Sequence, residues 1–283
     1  MRTSLRSSLA RTFRSAGRFG AAALLSLVAV GCSDDDGSTS PDGSVSMVFD
    51  VVQLIQDTED REAIAYGVVE ETAYRISGRL GYLEVQRGSS LRTDADGSSL
   101  PFFIDVSDEF DQGIFRSLEF TVDPFGRHVI LLLGQRPEQG FAALEFVVYE
   151  ESSAALPAGQ TRLRFLNTVL GGDPVDLHLT SSTPQTLVAE DVAYVTEGSA
   201  FTFTPASGAA NSIVVTPADT APGTADVFVA TGLEFEAQRS YTLLLVRETS
   251  QPDAPLTVVM LDADFGRTRM LSAPVEETAP ARP

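Results

Sequence analysis

The chain has 283 residues, 43% of them hydrophobic, and its 39 acidic residues against 20 basic ones give a formal net charge of −19. That balance excludes nucleic acid and anionic lipid surfaces as partners recognised through charge, because both repel it. A single cysteine excludes any intrachain disulfide, and two histidines are too few for the familiar zinc sites.

Residues 1–31 carry five arginines (Arg2, Arg6, Arg11, Arg14, Arg18) and no acid, and an apolar run follows from Phe19 to Val30. Twelve helical residues span only ~18 Å, short of a ~30 Å hydrocarbon core, so the run reads as the core of a secretory signal rather than a membrane span. It ends Ala29-Val30-Gly31-Cys32, which resembles the lipobox of bacterial lipoproteins; Ala29 stands where that pattern usually has leucine. The resemblance implies lipidation of Cys32 and membrane attachment through the lipid, with more than one acyl chain for a durable anchor. Ser33 rather than aspartate after the cysteine points to the outer membrane of a bacterial cell envelope, on its surface or periplasmic face. The competing reading is a leftover thiol beside an ordinary cleavage site. Residues 32–43, rich in Ser, Asp and Gly, offer nothing to a core and are expected to be a disordered acidic tether. Loss of the five leader arginines leaves 39 acids against 15 arginines, a formal charge of −24.

Beyond the tether the apolar runs are short, β-branched or aromatic, and bounded by Gly, Pro, Asp, Asn or Ser. R-L-R-F-L-N (162–167), P-V-D-L-H-L (174–179), F-T-F-T-P (201–205), S-I-V-V-T-P (212–217), Y-T-L-L-L-V (241–246) and L-T-V-V-M-L-D (256–262) are the clearest. No helical period separates them, so the expected class is all-β and antiparallel. The blocks also recur. His128–Leu133 matches Tyr241–Val246, Leu144–Val148 matches Leu256–Met260, and Leu118–Phe120 matches Leu233–Phe235. Further up the chain, Met47–Asp50 is set against Arg164–Asn167, Ala65-Tyr66 against Ala193-Tyr194, Tyr74–Ile76 against Phe201–Phe203, and Leu83–Val85 against Ile213–Val215. Pro174–Leu179 has no clear counterpart, and Gln56–Glu62 reads as a polar loop. The expected organisation is two tandem immunoglobulin-like sandwiches, a degenerate repeat at 44–150 and a clean one at 161–264, with a disordered tail at 273–283. The short join at 151–160 predicts that the two are held in fixed contact.

The second copy resembles a bacterial extracytoplasmic domain of unknown function, the one numbered 4397. Arg162, Arg164, Asn167, Pro174, Val175, Asp176, Ala193, Tyr194 and Tyr241–Val246 carry the likeness over about 104 residues; Gly171-Gly172-Asp173-Pro174 departs from the usual P-D-A-P. It implies an immunoglobulin-like sandwich on an exported, often lipid-anchored protein, and no activity.

Few residues point to chemistry. His128 and His178 each sit inside an apolar run, where a packed histidine is the ordinary outcome. No G-x-S-x-G elbow occurs. Nothing marks a pair of the 39 acids for glycoside hydrolysis. Asp94-Ala95-Asp96-Gly97-Ser98, with Asp105 further on, is the candidate for calcium, but position 6 is Ser99 rather than glycine, and a polar turn accounts for it better. Asp262-Ala263-Asp264 has the same weakness. Asp173 and Asp176 are expected to bond turn amides, Asn167 to orient the first hairpin, and Tyr66 and Tyr194 to anchor packing with their hydroxyls on turns. No catalytic residue, cofactor or metal ligand is assigned, and the chain reads as a non-enzyme. The expected role is binding, adhesion or spacing at the envelope, with an envelope or extracellular protein or a glycan as partner. The alternative is a small-ligand module, for glycan or calcium, in an export or polysaccharide system. The absence of tryptophan removes the commonest glycan-stacking platform.

Overall fold

The computed structural model describes residues 45–57, 62–69, 72–93, 100–108, 113–122, 126–135, 143–151, 154–181, 185–196, 200–208, 210–263 and 267–271, all within the body Gly37–Pro283. Every regular element among them is a strand. The first half contains β1 (Val45–Gln53), β2 (Ala63–Val69), β3 (Thr72–Arg75), β4 (Val85–Thr93), β5 (Leu100–Asp108), β6 (Gly113–Val122), β7 (Arg127–Gln135) and β8 (Ala143–Glu151). The second contains β9 (Thr161–Asn167), β10 (Val175–Thr180), β11 (Thr186–Val192), β12 (Phe201–Phe203), β13 (Asn211–Pro217), β14 (Phe228–Leu233), β15 (Ser240–Arg247), β16 (Leu256–Asp262) and β17 (Arg267–Leu271).

Four sheets result, with strand orders β3-β2-β5-β6, β4-β1-β7-β8, β12-β9-β15-β16-β17 and β11-β10-β13-β14. Adding eight to each strand number of the first two gives the last two, apart from β17. In both halves the first strand runs parallel to the seventh, β1 with β7 and β9 with β15, while the other pairings are antiparallel.

Side-chain alternation shows how the sheets stack. On β7, Ile130 and Leu132 pack with Met47, Phe49 and Ala65 against the outer sheet of their own half. Val129, Leu131 and Leu133 of the same strand point the other way, onto Leu166, Leu244, Val246, Val259 and Leu261 of the second half. On β15, Tyr241, Leu243 and Leu245 complete the core of the second half with Leu177, Ile213 and Val215. The order is therefore outer, inner, inner, outer, with three apolar layers between four sheets. An inner strand is buried on both faces, which is why its sequence is a continuous apolar run rather than an alternation. The inner sheets belong to different halves, and the layer between them is a seam.

Backbone and side-chain hydrogen bonds close this seam at both ends. Asp57 N–H donates to Ser250 O (3.2 Å), and Ser250 Oγ–H donates back to Asp57 O (2.7 Å). The Tyr82 hydroxyl donates to Arg247 O (3.1 Å), and Arg87 donates to Asp262 O (3.2 Å). Gln56 and Asp57, expected in a polar loop, are buried here beside the second half.

The repeat register differs from the expected one in the first part of each half. Leu83 N–H donates to Gln53 O (2.8 Å) where β1 ends, and Val195 N–H donates to Asn167 O (3.0 Å) where β9 ends. Both donors are aliphatic residues in the left-handed region, at φ 65° and 61°. The Gln53 and Asn167 side chains also match, each accepting from the amide two residues on. Tyr82-Leu83 is therefore the counterpart of Tyr194-Val195, whereas Ala65-Tyr66 lies in β2, the counterpart of β10. The Ala-Tyr dipeptide recurs by composition; the equivalence is fixed by which carbonyl each turn amide meets. The same frame moves Met47–Asp50 off Arg164–Asn167, since Asp50 falls opposite Arg164, and supplies β2 as the missing partner of Pro174–Leu179.

Candidate functional site

Most polar residues singled out in the sequence prove to be fasteners. Asp176, buried at the start of β10, accepts from Asp191 N–H (2.7 Å) and Asp219 N–H (3.0 Å). Both donors have positive φ, 54° and 59°, so one carboxylate secures two strained turns, the structural work expected of it. Asn167 donates through Nδ2 to Asp173 O and Val192 O, both 3.2 Å, which ties the end of β9 to the turns around β10. Asn211, which the sequence reading passed over, is fully buried and donates to Leu233 O (2.9 Å) while accepting from Ala206 N–H and Ser181 Oγ–H, both 2.9 Å. His128 is buried 5.8 Å from the Phe49 ring, and His178 Nε2 lies 3.2 Å from Thr216 Oγ1. The two rings stand in different halves. Tyr66 is half-buried in β2, and Tyr194 reaches across the seam to Glu145, where burial first and then the Glu145 charge push its phenol well above the ordinary range.

Cys32, Asp94 and Asp96 lie outside the described residues. Asp105 stands in β5, opposite Tyr66 of β2. Asp262 ends β16 and pairs with Arg239 at 3.0 Å, and Arg239 also meets Glu236. Among the described residues no group of three His, Cys, Asp or Glu side chains could hold a metal ion.

What the structure brings together instead is a set of charged and hydroxyl side chains at one end of the seam. Residues on β9 alternate: Leu163 and Phe165 enter the core of the second half, while Arg162, Arg164 and Leu166 face the seam. Ser240 and Thr242 stand on the same side of β15, ahead of Leu244. Across from them, β8 offers Tyr149 and Glu151. These side chains, with Tyr241 and Ala263, line a shallow cleft with about 20 Å³ of room, little more than one water occupies. The Arg164 guanidinium lies 4.3 Å from the Tyr149 ring centroid, a cation–π contact between the two halves. Arg164 also donates to Glu150 O (3.5 Å) and Arg162 to Ala154 O (3.3 Å).

Behind the cleft a second cluster is closed on itself. Asp50, 1% exposed, accepts from Arg87 (3.0 Å), Arg127 (2.9 Å) and Gly88 N–H (2.8 Å), and Arg127 Nε holds Glu151 at 3.2 Å. A buried carboxylate so surrounded has its charge compensated where it stands. Sequence spacing could have placed Arg162 and Arg164 on one face. Nothing in it shows that Tyr149, fifteen residues before Arg164 and in another sheet, lies beneath its guanidinium.

Comparison with known proteins adds little. No family model matches the chain, and no curated protein matches it. A solved structure of a candidate adhesin from Bacteroides ovatus shares 9% identity over 80% of this chain and 95% of its own, with a TM-score of 0.23. At that score the likeness carries no argument about fold or function.

Proposed function

We propose that this chain is a lipid-anchored protein of a bacterial cell envelope, held at the outer membrane through Cys32, with a non-catalytic role in binding, adhesion or spacing. The sequence signs of export support the anchor: a basic start, a short apolar run and a lone cysteine after small residues, then an acidic tether. The observation that carries the role is the seam. It joins the two halves into one stack whose inner sheets are covered on both faces, leaving outer sheets, strand edges and loops as the surface for a partner.

Protease shaving of intact cells, comparing wild type with Cys32→Ala, tests the anchored reading. Shaving of the wild type and release of the variant into a soluble fraction is the expected result. Unchanged processing and membrane attachment in the variant would overturn the anchor.

A further inference from the structure

The strand orders leave eight edges among the described residues, and one of them stands apart. β3, β12 and β17 have only four, three and five residues. β4, β6, β11 and β14 each carry a register shift against their neighbour. β8 runs for nine residues with no shift and no proline, and a long unbroken edge is a template for another strand. We infer that β8 carries out the binding role proposed above, on which this rests: its outer edge takes an extended, basic and apolar segment of a partner protein as an added antiparallel strand.

The second half shows such an addition already made. Leu131 pairs with Val147, and its counterpart Leu244 pairs with Val259. Phe146, Val148 and Glu150 of β8 therefore match Val258, Met260 and Asp262 of β16. β17 runs antiparallel along β16, and Val258 and Met260 beside it are 0% and 7% exposed. No described strand holds that place on β8, and Phe146 and Val148 are only half-buried. The N–H and C=O groups of Leu144 and Val148 point away from β7 and meet no group among the described residues. A strand beside them would bond both.

β17 also indicates what that strand should carry. Its register sets Leu271 opposite Val258, Arg269 opposite Met260 and Arg267 opposite Asp262. On β8 the same places are Phe146, Val148 and Glu150, and Glu150 is exposed. An apolar residue of the incoming strand would cover Phe146, and a basic one would meet Glu150. A second copy of this chain is a poor donor. Its own β17 is committed, with Leu271 2% exposed in the core of its half, and two copies of formal charge −19 repel each other.

Fluorescence anisotropy on the purified full-length chain tests this without a membrane, so the edge and the anchor can fail separately. The probe is a labelled peptide G-R-T-R-M-L-S, the sequence of residues 266–272, and saturable binding is expected. Proline in place of the second arginine of the peptide, whose N–H would bond to β8, should weaken binding about tenfold or more. In the protein, Val148→Pro should weaken it comparably. Glu150→Arg, at an exposed position and with wild-type circular dichroism, should weaken it several-fold and strengthen binding of the charge-reversed peptide G-E-T-E-M-L-S. No saturable binding, equal binding of the proline peptide, or affinity unchanged in both variants would overturn the assignment; the last would place the peptide elsewhere, as on β16 in exchange for β17. Dimers of the chain alone in sedimentation, lost in Val148→Pro and not displaced by the peptide, would overturn it by giving the edge to a second copy.

Discussion

Single residues in this protein act mainly by holding backbone in place. Asp176 illustrates it: two turn residues in the left-handed region keep that shape because one buried carboxylate accepts from both amides. Where no such partner exists the strain is open to relief. Gln238 is exposed, has φ 62°, and contributes its backbone amide to Gln160 O at 2.6 Å. Glycine can occupy that conformation without a Cβ clash, so Gln238→Gly should stabilise the fold by about 0.5–1 kcal/mol in urea denaturation. Tyr82 gives a pH dependence. Burial pushes its phenol up to about 12, against the lowering effect of the nearby Arg247 charge. The folded state therefore keeps a proton that the unfolded chain releases near pH 10. The associated stability is whole below about pH 10 and is lost as pH rises to about 12. Tyr82→Phe should flatten the fall in stability across that window; an unchanged slope would show that the hydroxyl is not buried as described.

Elements carry a second kind of information, namely which backbone groups a strand has already committed. Leu54 N–H donates to Leu132 O and Gln56 N–H to Gly134 O, so even-numbered groups of β7 face β1. Its odd-numbered groups then face β8, where Leu131 pairs with Val147. On β8, Val147 is committed to the ladder and Val148 points to the outer edge, as does Glu150, whose carbonyl takes the Arg164 bond. Proline at the two positions should separate these roles. Val147→Pro removes a ladder bond and should cost about 3 kcal/mol or more, whereas Val148→Pro should cost distinctly less. Thermal melting of the pair checks this, and equal losses would mean the strand is turned the other way.

At the scale of the molecule the seam decides behaviour. Val129, Leu131, Leu133, Leu244, Val246 and Leu261 are nearly fully buried there, and each half would expose one apolar sheet face without the other. Leu131→Ala and Leu244→Ala lie in different halves, yet each should cost about 2–5 kcal/mol. Each should also lower the midpoint of a single transition rather than release one half. Calorimetry reads this directly: agreement of calorimetric and van't Hoff enthalpies is expected, and two resolved transitions would contradict it. Residues 44–150 expressed alone should aggregate through the uncovered face of β1, β7 and β8.

The sequence by itself determined the all-β class and the positions of most strands, because apolar runs and turn residues act locally. H-V-I-L-L-L and Y-T-L-L-L-V announced matching strands of the two halves, since burial on both faces leaves a continuous run. It also allotted Asp176 its turn amides. Tertiary structure alone decided the rest. The Ala-Tyr dipeptide misled the register because equivalence lay in the Gln53 and Asn167 carbonyls, which no local pattern records. β17 escaped notice, R-T-R-M-L being too short and polar to stand out. Tyr149 and Arg164 meet only because two inner sheets pack face to face, and a contact between sheets leaves no periodicity in either strand. Periodicity tells a strand which face is apolar, but not what will cover it.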